Sequence, residues 1–213
     1  MSAGAMRTAL DPFYLVVDDA DWVERLVPHG VKLVQLRCKE MSESQLRDNI
    51  RRAKACCIAH DCTLVVNDYW RLAIEEECAW LHLGQEDLAA ANLPEIRAVG
   101  LKLGISTHDK AELAAALVAE PDYVALGPVW ETKLKKMPWR PQGLERLGQW
   151  KERIGDLPLV GIGGVTAERL PQLFTAGADI AAVVTDITRH ENPEGRTAAW
   201  IAQTKEQRLS FRG

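Results

Sequence analysis

The chain contains 213 residues and carries a formal net charge of −4, with 47% hydrophobic and 26% charged residues. These values are typical of one soluble globular domain with a sizeable core, and the lack of a basic excess argues against a nucleic acid or a membrane surface as partner. No apolar run is long enough to span a bilayer, and the N-terminus lacks the apolar core of a signal peptide, so we predict a cytoplasmic protein.

Eight short apolar runs alternate with helix-like segments along the chain. Near-continuous runs of Val, Ile and Leu suit strands that are buried on both faces, as in a parallel sheet. The predicted strands are residues 13–18, 31–37, 63–68, 80–84, 102–107, 123–128, 159–164 and 181–186. The predicted helices are residues 21–27, 42–60, 70–77, 93–99, 109–119, 144–154, 168–176 and 193–207.

This alternation predicts βα units and an α/β fold. Eight strands with eight helices favour closure into a single-domain (β/α)8 TIM barrel, and an open, doubly wound sheet is the structural alternative. We expect a barrel domain at residues 13–207, with tails at 1–12 and 208–213. The long, basic connection at 129–142 is of the kind that forms lids or ligand clamps.

Polar side chains follow the second predicted strand. Gln35, Arg37 and Lys39 share one face because strand side chains alternate, whereas Cys38 points the other way. Two cations and an amide on one face can bind a phosphate. A solvated strand end, with the cations paired to nearby carboxylates, is the alternative interpretation.

The next two strands end in amides and carboxylates. Asn67 and Asp68 close the third predicted strand, and Asp87 follows the fourth. Carboxylates beside phosphate-binding cations indicate Mg²⁺, which takes oxygen ligands and bridges protein to substrate phosphates. Without that neighbourhood, Asn-Asp is merely a turn or a helix cap.

The fifth strand ends with Ser106, whose hydroxyl suits either a phosphate or the N-cap of the following helix. His82 lies inside the fourth strand and is expected to be a hydrogen-bonded core residue rather than a base.

Glycines mark the end of the seventh strand, where G-I-G-G ends at Gly164. Val184, Thr185 and Asp186 close the eighth predicted strand. Loops after the seventh and eighth strands of TIM barrels frequently bind phosphate through backbone N–H groups. Together with the basic residues after the second strand, this predicts two separate anion sites at one barrel mouth.

Seven motifs carry a resemblance to a known family. They are V-Q-L-R-C-K-E (34–40), V-N-D-Y-W-R-L-A-I (66–74), H-L-G-Q-E-D-L (82–88), L-G-I-S-T-H-D (103–109), A-L-G-P-V-W-E-T (125–132), M-P-W-R-P-Q-G-L (137–144) and V-G-I-G-G-V-T (160–166). In this order and spacing they resemble thiamine-phosphate synthases over residues 13–187. The resemblance implies a transferase of thiamine biosynthesis that couples hydroxymethylpyrimidine pyrophosphate to hydroxyethylthiazole phosphate, with loss of Mg²⁺-bound pyrophosphate and a pyrimidine carbocation.

The resemblance also implies roles for individual residues. Asp68 and Asp87 would bind Mg²⁺. The catalytic set would be Arg37, Lys39, Ser106 and Lys135. The substrate-binding set would be Gln35, Leu36, Arg37, Cys38, Lys39, Asn67, Ser106, Thr132, Lys133, Leu134, Lys135, Gly164, Val184 and Thr185.

The chain departs from the family pattern in the long loop and at the end of the eighth strand, where Thr185 and Asp186 stand. In the loop that reads Pro-Thr-x-Thr-Lys in the family, Glu131 replaces the proline and Leu134 the second threonine. Lys135 is preferred over Lys133 as the pyrophosphate contact because the downstream motif then needs no gap. The eighth strand usually ends Ser-Ala, and Asp186 here would repel a phosphate unless its side chain points away.

Two other functions remain open at this point. One is a thiazole tautomerase-like isomerase on the same scaffold, which would not need the whole pyrophosphate and metal set. The other is a non-catalytic homologue that binds thiamine phosphate. The sequence leaves open the oligomeric state, a homo-oligomer included, and the thiazole tautomer.

Overall fold

The computed structural model describes residues 10–132 and 140–210, with side chains to residue 207. Within these ranges it has eight strands. They are β1 (Phe13–Val17), β2 (Leu33–Leu36), β3 (Thr63–Asn67), β4 (Trp80–Leu83), β5 (Lys102–Thr107), β6 (Tyr123–Leu126), β7 (Leu159–Ile162) and β8 (Ile180–Val183).

All eight strands are parallel and pair with their sequence neighbours, and β1 also pairs with β8. The sheet is therefore a closed barrel, which confirms the predicted (β/α)8 fold and excludes the open sheet. The carboxyl ends of all eight strands meet at one rim, where functional residues of this fold collect.

Helices surround the barrel. The described part of the chain contains α1 (Ala20–Leu26), α2 (Glu43–Ala59), α3 (Trp70–Glu75), α4 (Gln85–Ala90), α5 (Leu93–Ala98), α6 (Lys110–Val118), α7 (Gly143–Ile154), α8 (Leu170–Thr175), α9 (Thr185–Thr188) and α10 (Pro193–Ser210). The predicted start of the helix at residue 42 is confirmed, because Ser42 and Gln45 form the capping box of α2.

Several predicted strands extend one to three residues too far. The reason is that the last residues of the predicted strands leave the extended conformation. Asp68 has a φ of 68° and Gly164 a φ of 67°. Thr185 and Asp186 belong to the short helix α9 rather than to the eighth strand. Helices α4 and α9 are not among the predicted helices. Helix α4 buries none of its six residues and so lacks an apolar face, and the four residues of α9 are too few to show helical periodicity.

The strands separate two apolar layers. Side chains of one parity fill the barrel interior, including Tyr14 and Tyr123, while the other parity packs against the helices. Gly104 is required in β5 because a Cβ there would lie 2.0 Å from the Tyr123 ring. The interior-facing parity is also the one that carries Gln35, Asn67 and His82 toward the rim.

Candidate active site

The first group of polar residues lies after β2, β3 and β4. The Lys39 Nζ donates to the Asp68 Oδ2 at 2.9 Å, and only 13% of the Asp68 side chain is exposed. Asp68 also lies within hydrogen-bonding reach of Asp87, in the first turn of α4. Two neighbouring strand ends and the loop after β2 therefore bring a lysine and two carboxylates together, as the sequence predicts.

The backbone fixes Asp68 in this position. Its N–H donates to the His82 carbonyl of β4 at 2.9 Å, and its left-handed φ turns the carboxylate out of the strand direction. Aspartate tolerates this conformation better than most residues. Such strain is found at functional sites, where surrounding contacts hold it in place.

The two carboxylates form an environment that favours a divalent cation. Burial raises the pKa of Asp87, and the charge and proximity of Asp68 raise this pKa further, against the opposing effect of Lys39. A cation between the two carboxylates would relieve this repulsion. The described residues contain no cluster of three or more His, Cys, Asp or Glu side chains that could hold a metal. Two carboxylates fit Mg²⁺, which is usually bound by one or two carboxylates together with water and substrate phosphates.

Arg37 and Lys39 are not strand residues, because β2 ends at Leu36. The Arg37 N–H still pairs with the Val17 carbonyl at 2.8 Å, so the chain continues beside β1 for one more residue. The side chains of Leu36 and Cys38 are 2% exposed and pack in the layer beneath the helices. Any contact of these two residues with a substrate would therefore involve their backbone.

Ser106 is held from two directions at the end of β5. Its Oγ lies 2.8 Å from the His82 Nε2, and its carbonyl accepts from the Gln85 side-chain amide at 2.6 Å. Its hydroxyl does not cap the next helix, because the Asp109 side chain does so. Because it has no capping role, the Ser106 hydroxyl can serve a ligand at the barrel mouth.

Sequence reasoning missed two tyrosines inside the barrel. The Tyr14 and Tyr123 hydroxyls lie 2.9 Å apart, and they connect the Gln35 amide at 2.8 Å to the His82 Nδ1 at 2.8 Å. Both tyrosines occupy interior-facing strand positions, but a sequence does not tell which interior aromatic rings touch across a barrel. His82 is a hydrogen-bonded interior residue, as predicted.

The second group lies after β7 and β8. Gly164 follows the end of β7 and Val184 the end of β8, and these two strands are paired neighbours in the barrel. A Cβ on Gly164 would lie 2.6 Å from the Glu131 carbonyl oxygen, which means that only glycine fits here. The loop after β6 is tied to this turn by the Trp130 N–H, which donates to the Gly163 carbonyl at 3.0 Å.

Asp186 does not face the rim. Its Oδ2 accepts from the Trp200 Nε1 at 2.7 Å and from the Arg196 Nε at 2.9 Å, both on α10, and from the Ala167 N–H at 3.4 Å. The negative charge is thereby neutralised by Arg196. The expected repulsion of a phosphate does not arise, because this carboxylate points away and ties the turn after β7 to the outer helix.

The loop residues are the remaining sequence-predicted set. Thr132 is half-buried and is the last described residue before the gap. Lys133, Leu134 and Lys135 lie outside the described residues.

The closed barrel, with cations and carboxylates on one side of its rim and a glycine turn on the other, defines a TIM-barrel enzyme for phosphorylated substrates. The family model for thiamine monophosphate synthase matches residues 13–187, and the chain belongs to this family.

Individual relatives agree with this. The chain is 66% identical to a thiamine-phosphate synthase of Rhizobium etli, over 92% of this chain and 96% of the relative. It is 46% identical to one of Citrobacter koseri, over 89% and 90%.

A solved structure of a thiamine phosphate pyrophosphorylase from Pyrococcus furiosus has the same fold, with a TM-score of 0.83 at 21% identity, over 95% of this chain and 99% of that one. Within the described residues, no helix combines the length and the apolar character that a membrane span requires.

Proposed function

We propose that the protein is a transferase that joins hydroxymethylpyrimidine pyrophosphate to hydroxyethylthiazole phosphate, giving thiamine phosphate and pyrophosphate. Family membership and the similarity to the Rhizobium etli enzyme support this. The observation that carries the proposal is the contact of Asp68 with both Lys39 and Asp87. Departure of a metal-bound pyrophosphate requires carboxylates for the metal and a lysine for the phosphate at one place.

Asp68 and Asp87 would hold Mg²⁺, whose chemistry is to neutralise charge on the departing pyrophosphate. Arg37, Lys39, Asn67 and Ser106, which follow or end the neighbouring strands, would bind the phosphate oxygens. Arginine does so with its planar fork, lysine as a point charge, and the amide and hydroxyl as neutral donors. Lys135 adds a further cation from the long loop, an assignment that rests on its motif alone.

The second substrate would bind at the opposite side of the rim. Gly164, Val184 and Thr185 hold the thiazole phosphate through their backbone, and Thr132 lies on the neighbouring loop. The close contact of Gly164 with the Glu131 backbone joins this turn to the loop that carries Thr132. Gln35 orients the pyrimidine from the barrel interior.

The reaction needs no proton transfer by the protein. The bond that breaks joins the pyrimidine methylene carbon to a pyrophosphate oxygen, which keeps the electron pair. The lone pair of the thiazole nitrogen then forms the new carbon–nitrogen bond with the resulting carbocation. The chain contributes by stabilising the charge that develops on the leaving group and by holding both substrates in line.

The test is a coupling assay with both substrates. We expect thiamine phosphate and an equal amount of pyrophosphate in the presence of Mg²⁺, and neither product after chelation of the metal. A tautomerase would convert the thiazole phosphate alone and release no pyrophosphate, and a binding protein would retain thiamine phosphate without turnover. Folded protein that forms no product with both substrates and Mg²⁺ would refute the proposal.

The cytoplasmic location, the homo-oligomer and the tail boundaries at residues 12 and 208 stay predictions. Size-exclusion chromatography with light scattering measures the oligomeric state directly.

A further inference from the structure

Five side chains form a continuous hydrogen-bonded chain across the barrel interior. In order they are Gln35, Tyr14, Tyr123, His82 and Ser106, and they come from β2, β1, β6, β4 and β5. Each of the four links is 2.8 or 2.9 Å long. The chain connects an interior amide to the hydroxyl at the rim, and four of its five members are less than 7% exposed.

The two tyrosines of this chain keep their hydroxyl protons at neutral pH, because burial raises the pKa of Tyr14 and Tyr123. Each ring nitrogen of His82 has one hydroxyl partner, Tyr123 at Nδ1 and Ser106 at Nε2, both at 2.8 Å. A neutral imidazole has one N–H donor and one acceptor nitrogen, so it can pass a direction of donation from one hydroxyl to the other.

The direction of donation follows from the amide at one end. The Gln35 Nε2 only donates, so the Tyr14 oxygen accepts from it. The Tyr14 proton then has one acceptor among the hydrogen bonds of the described residues, the Tyr123 oxygen, and is directed there. The Tyr123 proton is then directed to the His82 Nδ1, which makes this nitrogen the acceptor. The proton of the ring resides on Nε2 and is donated to the Ser106 Oγ.

We propose that this chain makes His82 a positioning residue, which holds the Ser106 hydroxyl with its proton directed outward as a donor to a pyrophosphate oxygen. The proposal rests on the proposed function, because it names the anion that Ser106 meets. Tyr123 and Tyr14 act through His82 by fixing its Nε2–H tautomer.

The opposite direction of donation is incompatible with an anionic ligand. If every proton were reversed, the Ser106 hydroxyl would donate to His82 and present only lone pairs at the barrel mouth. Phosphate oxygens at neutral pH are acceptors and would be repelled by these lone pairs. The amide at one end and the pyrophosphate at the other therefore select the same direction.

The first experiment needs neither turnover nor a variant. Nitrogen-15 NMR of the histidine rings in the full-length protein distinguishes the Nε2–H from the Nδ1–H tautomer. We expect His82 in the neutral Nε2–H form, with and without Mg²⁺ and pyrophosphate. A neutral Nδ1–H ring, or a charged ring at pH 7, would overturn the proposal. If the protein shows the Nε2–H ring but forms no thiamine phosphate, the result would count against the proposed function alone.

The second experiment is a double-mutant cycle on turnover. Ser106→Ala removes one donor to the leaving group and should lower kcat on the order of 10²-fold. Tyr123→Phe removes the donor to the His82 Nδ1 and should lower kcat about 10-fold in the parent chain, with the KM for thiazole phosphate unchanged. In the Ser106→Ala background the same change should lower kcat less than about 2-fold.

Thr107→Val is the matched control. Thr107 is a fully buried hydroxyl next to Ser106 in sequence, but it bonds to the Ala125 carbonyl and the Trp150 Nε1 on the other side of the sheet. This variant should lose stability without changing the coupling between positions 106 and 123. Independent, multiplicative effects of Ser106→Ala and Tyr123→Phe would contradict a connection through His82.

Discussion

The two sides of the barrel rim are built in different ways. After β2 to β5, side chains bear the charges: Lys39 contacts Asp68, which adjoins Asp87. After β7 and β8 the backbone faces the rim, and the carboxylates of Glu168 and Asp186 both pair with Arg196 on α10. The difference fits the two proposed tasks. A leaving pyrophosphate gains charge during the reaction and needs cations, whereas a phosphate that serves as an anchor needs only donors in the right place.

The comparison also shows what substitution should do on each side. At the rim after β2 to β5, which we call the side-chain side, a change of charge should affect turnover. At the rim after β7 and β8, which we call the backbone side, a change in the shape of the turns or in the contacts that hold them should affect the KM for thiazole phosphate. Turnover at saturation should be retained.

The largest expected effect is that of Asp68→Asn. It removes one ligand charge for the cation and the partner of Lys39, and should lower kcat on the order of 10³-fold. The control is Glu86→Gln, which loses the same charge at an exposed position beside Asp87 and should stay within about 2-fold of the parent. Steady-state kinetics with saturating Mg²⁺ measure both. Equal losses in the two variants would mean that net charge, rather than the Asp68 contact, controls turnover.

Gly164→Ala tests the backbone side. The added Cβ meets the Glu131 carbonyl oxygen at 2.6 Å, so the turn must move, and the KM for thiazole phosphate should rise about 10- to 100-fold with the loss of one or two phosphate contacts. The control is Gly100→Ala, which has a similar φ of 73° but no atom within 4 Å of the new Cβ. It should cost about 1 kcal/mol of stability and leave the KM unchanged. An unchanged KM in Gly164→Ala would remove Gly164 from the binding site.

Asp186→Ala tests the hydrogen bonds that tie the turn after β7 to α10. It leaves the Trp200 Nε1 and the Arg196 Nε without their acceptor, while Arg196 keeps its ion pair with Glu168. We expect a loss of about 2 kcal/mol of unfolding free energy together with a several-fold higher KM for thiazole phosphate. Asp179→Ala is the control, because its carboxylate accepts from the Leu159 N–H and Lys151 at the other end of the barrel. It should lose about 1 kcal/mol and keep its KM. Denaturant unfolding and kinetics on the same samples separate the two effects.

The smallest expected effect is a pH dependence on the side-chain side. The pKa of the buried His82 lies near 4 in the folded chain, below the ordinary value of 6.5, so the unfolded chain binds the extra proton between these values. Stability from this residue is present above pH 6.5 and is lost as the pH falls towards 4, by about 1 kcal/mol at pH 5.5.

Urea unfolding of the parent and of His82→Gln between pH 7 and 5 measures this effect. On acidification, the unfolding free energy of the parent should fall by more than that of His82→Gln. A constant difference would mean that His82 does not change its proton affinity on folding.

Much of the fold and the side-chain half of the site could be predicted from the sequence. Buried apolar runs with polar ends locate strands, and Lys39, Asp68 and Asp87 were each predicted at strand ends that the closed barrel brings together. The predicted strand ends were wrong by a few residues because backbone turns such as that at Asp68 depend on hydrogen bonds from the neighbouring strand.

The orientation of Asp186 and the chain through Tyr14 and Tyr123 could not be predicted. Asp186 points outward because α10, which begins several residues later, supplies Arg196 and Trp200. The tyrosine contact depends on the space that Gly104 leaves across the barrel. Both features arise from contacts between distant segments, which local sequence patterns do not encode.

The most direct test of the central claim is a crystal structure of the protein with Mn²⁺ and pyrophosphate, measured for the anomalous signal of the metal. We expect one strong peak that is coordinated by carboxylate oxygens of Asp68 and Asp87, with the pyrophosphate bridging it to Arg37 and Lys39. A pyrophosphate bound at this rim with the metal coordinated by neither aspartate would contradict the account.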